Sequence, residues 1–166
     1  MSLLETVPTR LALPDRPAWL DPAALRRITR DYAASPELWA PHVRYAMGEH
    51  WSQRVHVNDE YDVWLITWLQ EQSTALHDHG RSAGAFTVVC GRLNEYLPSG
   101  REYGVVPGES RSFGAGYVHD VHNAHPEPAF SIHAYSPPLT QMSYYERPAN
   151  GSPELVLTVT TEVPIK

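Results

Sequence analysis

Two histidines stand two positions apart in Leu76-His77-Asp78-His79-Gly80. In extended backbone that spacing puts both imidazoles on one face and Asp78 on the other. Neutral imidazole binds divalent transition metals, but a stable site needs at least three ligands and the pair supplies two. The third must come from elsewhere among the nine histidines of the chain. A second constellation occupies Ser131-Ile132-His133-Ala134-Tyr135-Ser136-Pro137-Pro138. On a strand Ser131, His133 and Tyr135 alternate onto one face, where they can form a hydrogen-bonded relay ending at the Tyr135 hydroxyl.

Strands must position these side chains. From Trp51 onward the chain breaks into short runs rich in Val, Ile, Thr, Tyr and Trp, separated by turn residues such as Asn58-Asp59, Pro98-Ser99-Gly100, Pro107-Gly108 and Pro126-Glu127-Pro128. The pattern predicts strands over 54–57, 61–69, 74–79, 84–90, 92–97, 103–106, 111–113, 117–122, 129–135, 141–147 and 154–163. Many short strands at even spacing favour a closed or double-sheet barrel, which leaves no bare edge. Ahead of them residues 1–20 read as a proline-spaced extended lead-in. Asp21-Pro22 then offers an N-cap and a proline at the first helical position, and Ala23, Leu25, Ile28 and Tyr32 recur at roughly helical spacing. Ser35-Pro36-Glu37 repeats the start signal for a second short helix. The expected fold class is all-β with N-terminal helices, in one domain over 1–166 with a helical lead-in over 1–50 and a barrel over 51–166.

Composition narrows the partner. The chain has 166 residues, 42% of them hydrophobic, which suffices for one core that folds without staples. A net charge of -6 argues against nucleic acid and anionic membrane, both of which need clustered Lys and Arg, and leaves a small molecule. The single cysteine, Cys90, excludes an internal disulfide framework and fits a reducing compartment. No long apolar run opens the chain, so neither a signal peptide nor a membrane span is expected, and the expected location is cytoplasmic.

The histidine segment resembles the first motif of the cupin superfamily, a double-sheet jelly-roll barrel. In that pattern His-x-His is followed by a position usually Glu, here Gly84, and by a closing glycine, here Gly91. Gly108, Gly114 (where Pro is usual), Gly116, His119 and Asn123 are similar to the second cupin motif. Loss of the carboxylate at Gly84 turns a three-His-one-Glu site into a three-His site, which leaves a divalent ion its full charge and suits an anionic bidentate substrate. The Ser-x-His-x-Tyr-Ser-Pro-Pro stretch resembles the cysteine dioxygenase family of thiol dioxygenases.

That resemblance, over roughly residues 50–147, implies one Fe(II) per chain on His77, His79 and His119, with cysteine and dioxygen as substrates and cysteine sulfinate as product. It also implies catalytic roles for Tyr135, His133 and Ser131, a cis peptide before Pro137 and, as cupins of this branch often are, a monomer. Arg54 is similar to the family's carboxylate-binding arginine, whose planar fork can hold a carboxylate through two bonds. Gln53 stands beside it, and a one-residue shift would point the glutamine inward, as at the same position of the related 3-mercaptopropionate dioxygenases. Three readings therefore stay open: a cysteine dioxygenase, a dioxygenase of 3-mercaptopropionate or another small thiol, and a metal-binding cupin without oxygenase activity. Mammalian members crosslink a cysteine to the tyrosine; Gly84 holds that position here, so no crosslink is expected. Cys90 is expected to be a small buried apolar side chain. His42, His50, His56 and His125 are read as surface or loop residues, and Trp51, Trp64 and Trp68 as core or barrel wall.

Overall fold

The structure is a computed structural model that describes residues 19–149 and 151–160. Most of the proline-spaced lead-in therefore lies outside the described residues, as does the end of the last predicted strand. Helix α1 (Pro22–Ala33) begins where expected, with the Asp21 carboxylate accepting from the Ala24 amide at 2.7 Å. A short α2 (Pro36–Trp39) and a 3-10 turn (Ala40–His42) follow.

Eleven strands come next, each matching a predicted run: β1 (Trp51–Val57), β2 (Asp62–Trp68), β3 (Leu76–Asp78), β4 (Ala83–Cys90), β5 (Leu93–Tyr96), β6 (Glu102–Val105), β7 (Ser110–Phe113), β8 (Asp120–His122), β9 (Ala129–Ser136), β10 (Gln141–Glu146) and β11 (Glu154–Thr160). They form a five-stranded sheet in the order β1-β2-β9-β4-β7 and two three-stranded sheets, β11-β10-β3 and β6-β5-β8. The expected barrel does not close into one hydrogen-bonded ladder. Along the seam between the two small sheets the pairing is broken into isolated bridges, Ser73 with His122 and His77 with His119, with the Thr74 amide donating to the Val121 carbonyl between them. The physical reason is an irregularity at Thr74-Ala75: Ala75 has a φ of 58° and its amide donates to Ser73 Oγ, while the Val121 amide donates to Thr74 Oγ1 instead of to a backbone carbonyl.

Strands β2 and β9 are buried along their whole length. One face of the large sheet, with Val63, Leu65, Ile132 and Ala134, packs under Leu25 of α1. The other face, with Trp64, Ile66, Trp68, Phe86 and Val88, meets Leu93, Val105 and Val121 of the small sheet. Covering both faces explains why these strands read as continuous apolar runs rather than alternating ones. The polar exceptions on the inner face form the site.

Candidate metal centre

His77 and His119 occupy facing rungs. The His77 amide donates to the His119 carbonyl at 2.9 Å, and the His119 amide donates back at 3.0 Å. His79, two residues beyond His77, shares its face, while Asp78 points the other way and accepts from the Tyr145 hydroxyl and the Gly80 amide. The three imidazoles are almost wholly inaccessible, and one nitrogen from each lies within 4.8 Å of the others. Burial, reinforced by the neighbouring imidazoles, lowers the pKa of His77 to about 3 and pushes that of His79 well below its ordinary value. Both rings are therefore neutral and their lone pairs free.

The donor set fits a divalent ion. The His77 and His79 Nε2 atoms are 3.0 Å apart. Two nitrogens about 2.1 Å from one ion and at right angles to each other would be separated by about that distance. His77 Nδ1 is occupied by the Ala75 carbonyl at 2.9 Å and His119 Nδ1 by Glu95 Oε1 at 2.8 Å, so their Nε2 atoms face inward. His119 Nε2 is buried with no hydrogen-bond partner among the described residues, an arrangement that a metal explains and packing does not.

Glu95 on β5 is fully buried and also takes Arg111 Nε at 2.5 Å and the Tyr117 hydroxyl at 3.3 Å. Burial alone would raise its pKa, but the hydrogen bonds and charges of His119 and Arg111 outweigh that and hold it below the ordinary value. The position of the missing superfamily carboxylate is closed as well. A Cβ on Gly84 would lie 2.4 Å from Phe113 Cε2, and the Phe113 ring stacks on His79 with centroids 5.1 Å apart.

The Ser131, His133 and Tyr135 side chains project to one face, as their alternation predicts, and Trp68 extends the chain. The Trp68 indole N–H can only donate, and it does so to Ser131 Oγ at 3.0 Å. Ser131 Oγ is 2.8 Å from His133 Nε2, the one acceptor within reach of its proton among the described residues. Donation from Ser131 leaves the His133 proton on Nδ1, aimed at the Tyr135 hydroxyl 3.3 Å away. Tyr135 thus accepts from His133 and keeps its own proton for the cavity. Burial, with repulsion from the other histidines, holds His133 neutral, and burial raises the Tyr135 pKa so that the phenol stays protonated.

A cavity of about 160 Å³ lies against His77, His119, His133 and Tyr135, walled by Trp64, Ile66, Leu139 and Met142. That is below the roughly 300–1,000 Å³ of sites for drug-sized ligands, so the occupant is small. Ser52 of β1 lines it; Arg54, two residues on, lies on the same strand face, packs over Trp64 at 5.6 Å and keeps a buried Nη1 with no partner among the described residues. Gln53 lies on the other face, 3.2 Å from His42 Nδ1. Beneath Arg54, Asp62 is fully buried, and burial raises its carboxyl pKa to about 6 despite the Leu139 amide and the Arg54 charge.

One expectation is corrected and another refined. Cys90 is exposed, because the register shift between Val88 and Cys90 in the β4–β9 ladder rotates the strand's last residue outward. His50 is a loop residue just before β1, as read, but it is not on the open surface: it is half-buried, lines the cavity and stacks on Trp68 with centroids 5.0 Å apart. The cis peptide at Ser136-Pro137 is present. Glu95 and Phe113 were not singled out from sequence. For Glu95 a signal existed, an acidic residue in phase with the core residue Leu93 on one strand.

Comparison with known proteins agrees with this geometry. The chain is similar to a cysteine dioxygenase type 1 from Bos taurus, at 22% identity over 156 residues that cover 86% of this chain and 78% of the relative. Its fold resembles a conserved protein with a double-stranded β-helix domain from Klebsiella pneumoniae, with a TM-score of 0.55 and 23% identity over 59% of this chain and 85% of the other. It also resembles an RmlC-like cupin protein from Desulfovibrio desulfuricans, with a TM-score of 0.53 and 15% identity over 58% and 90% of the two chains. The family described as cysteine dioxygenase type I matches residues 16–148, taking in α1 as well as the strands that carry the site. With three buried histidines, a tyrosine relay and a small cavity on its cupin fold, the chain belongs to the cysteine dioxygenase type I family.

Proposed function

We propose that the protein holds one Fe(II) on His77, His79 and His119 and adds both atoms of O2 to the sulfur of L-cysteine, giving cysteine sulfinic acid. The observation that carries this reading is the convergence of three buried imidazoles, that of His119 with an Nε2 left without a partner among the described residues, near the Tyr135 hydroxyl and a small cavity. Iron, when bound, supplies the one-electron chemistry that lets O2 react with a thiolate, and its three protein ligands leave sites open for both. The reaction balances without an external reductant, because sulfur loses the four electrons that O2 gains.

The chain's own residues orient the substrate. The buried Nη1 of Arg54 is a donor in search of an acceptor and suits the cysteine carboxylate. Tyr135 Oη, held by His133, presents a proton to a carboxylate or a developing negative oxygen on the same side. Trp64, Ile66 and Leu139 keep bulk water from the reacting sulfur. Gln53, turned to His42, favours cysteine over 3-mercaptopropionate as the substrate.

The test is anaerobic reconstitution with Fe(II), followed by oxygen uptake with L-cysteine and with 3-mercaptopropionate. The expected result is one O2 consumed per sulfinate formed, faster with cysteine, and loss of both iron and uptake in His79→Ala. Faster turnover of 3-mercaptopropionate would move the substrate assignment. No uptake with any thiol at full iron load would leave a metal-binding cupin without oxygenase activity.

A further inference from the structure

Gly84 leaves no carboxylate at the usual cupin position and Phe113 fills the place where one would stand, yet a carboxylate paired with Arg111 lies one hydrogen bond behind the site. Glu95 is fully buried, an unfavourable place for a charge unless it is well satisfied. Its two oxygens are divided. Oε1 takes His119 Nδ1 at 2.8 Å and the Tyr117 hydroxyl at 3.3 Å, and Oε2 takes Arg111 Nε at 2.5 Å. Arg111 is itself held over the Tyr103 ring at 4.0 Å. The histidines differ in this respect: the Nδ1 of His77 meets a neutral carbonyl, that of His119 a carboxylate.

The geometry points to Glu95 as a positioning residue that returns the missing negative charge to the metal centre through His119, raising the basicity of Nε2 and fixing its tautomer. The inference rests on His77, His79 and His119 being metal ligands, but not on which thiol is oxidised. A carboxylate behind a ligating imidazole strengthens its bond to the ion, and its loss typically weakens metal binding by about 10- to 100-fold. Arg111 acts in the opposite sense: bound to the other oxygen, it draws off part of the carboxylate's charge.

This predicts opposite effects for two variants that a mere structural brace would affect alike. Metal-free protein is titrated with Co(II) against a competing chelator, with the visible Co(II) absorption as a spectroscopic readout and thermal unfolding of the metal-free form as a control for folding. Wild type is expected to bind one Co(II). Glu95→Gln, nearly the same shape without the charge, should bind about 10- to 100-fold more weakly with a shifted Co(II) spectrum. Arg111→Met, which leaves the Glu95–His119 contact intact, should bind as tightly as wild type or more so. Glu95→Gln binding within about twofold of wild type, or both variants weakened equally, would overturn the role of Glu95 alone. If Glu95→Gln does not fold, a tenfold or greater loss in Arg111→Met overturns it too. A wild-type protein that binds no Co(II), or a His79→Ala variant that binds as well as wild type, would overturn the metal centre itself.

Discussion

Replacing Gly84 by alanine is the smallest change that tests why the fourth ligand is missing. The new methyl carbon would lie 2.4 and 2.6 Å from two Phe113 ring carbons and 3.0 Å from Tyr135 Cδ1. Carbon atoms rest at about 3.5–4.0 Å, so the Phe113 ring must retreat by about 1 Å. It has little room, because His79 stacks on it at 5.1 Å and Tyr117 at 4.9 Å. Overpacking of this kind costs about 1–3 kcal/mol. At about 2–4 °C per kcal/mol for a chain of this size, Tm should fall by about 2–12 °C. Urea unfolding of the metal-free protein measures the cost, and a double-mutant cycle with Phe113→Ala tests its cause. Phe113→Ala alone should cost about 3–5 kcal/mol, but in its presence the methyl should fit, giving a favourable coupling of about 1–3 kcal/mol. Additive effects, or a Gly84→Ala protein within about 0.5 kcal/mol of wild type, would refute the claim that Phe113 closes this position. By the same steric logic Gly84→Glu should not yield a four-ligand site.

Tyr135→Phe keeps the ring but removes the proton aimed at the cavity; iron content should be unchanged while turnover falls by about 100-fold or more, read by oxygen uptake beside a metal assay. Trp68→Phe removes the donor that orders Ser131 and His133, so kcat should fall about fivefold, near the worth of one neutral hydrogen bond, with a changed pH profile and little change in metal affinity. Asp62 makes stability depend on pH. Its folded-state pKa of about 6 lies above the ordinary carboxylate value, so between about pH 4 and 6 the folded state keeps a proton that the unfolded state loses. Stability of the metal-free protein should therefore fall as pH rises through that window. Asp62→Asn should remove up to about 3 kcal/mol of that dependence, measured as the difference in urea midpoints between the two proteins at pH 4 and pH 7. Identical pH profiles would show that Asp62 does not carry the penalty.

The elements and the reactive face were legible because both depend on local periodicity. All eleven strands coincide with predicted runs, and α1 starts at the Asp21-Pro22 signal, since capping and turn chemistry act within a few residues. The period of a strand likewise placed His77 with His79, and Ser131 with His133 and Tyr135, before any strand was paired. What stood behind those side chains was not legible, because sequence distance does not say which strand lies beside which. His119 faces His77 through a bridge spanning 42 positions, and its carboxylate partner Glu95 comes from a neighbouring strand of another hairpin. The exposure of Cys90 turned on a register shift that nothing in its local sequence announces. The choice between Arg54 and Gln53 needed the β1–β2 register, which sets which of two adjacent side chains shares the face of Ser52. Sequence by itself determined the strands and their histidine-bearing faces; only the tertiary pairing decided that Phe113 closes the space beside Gly84 and that Glu95 backs His119, because a buried contact between distant strands exists only once the sheets are assembled.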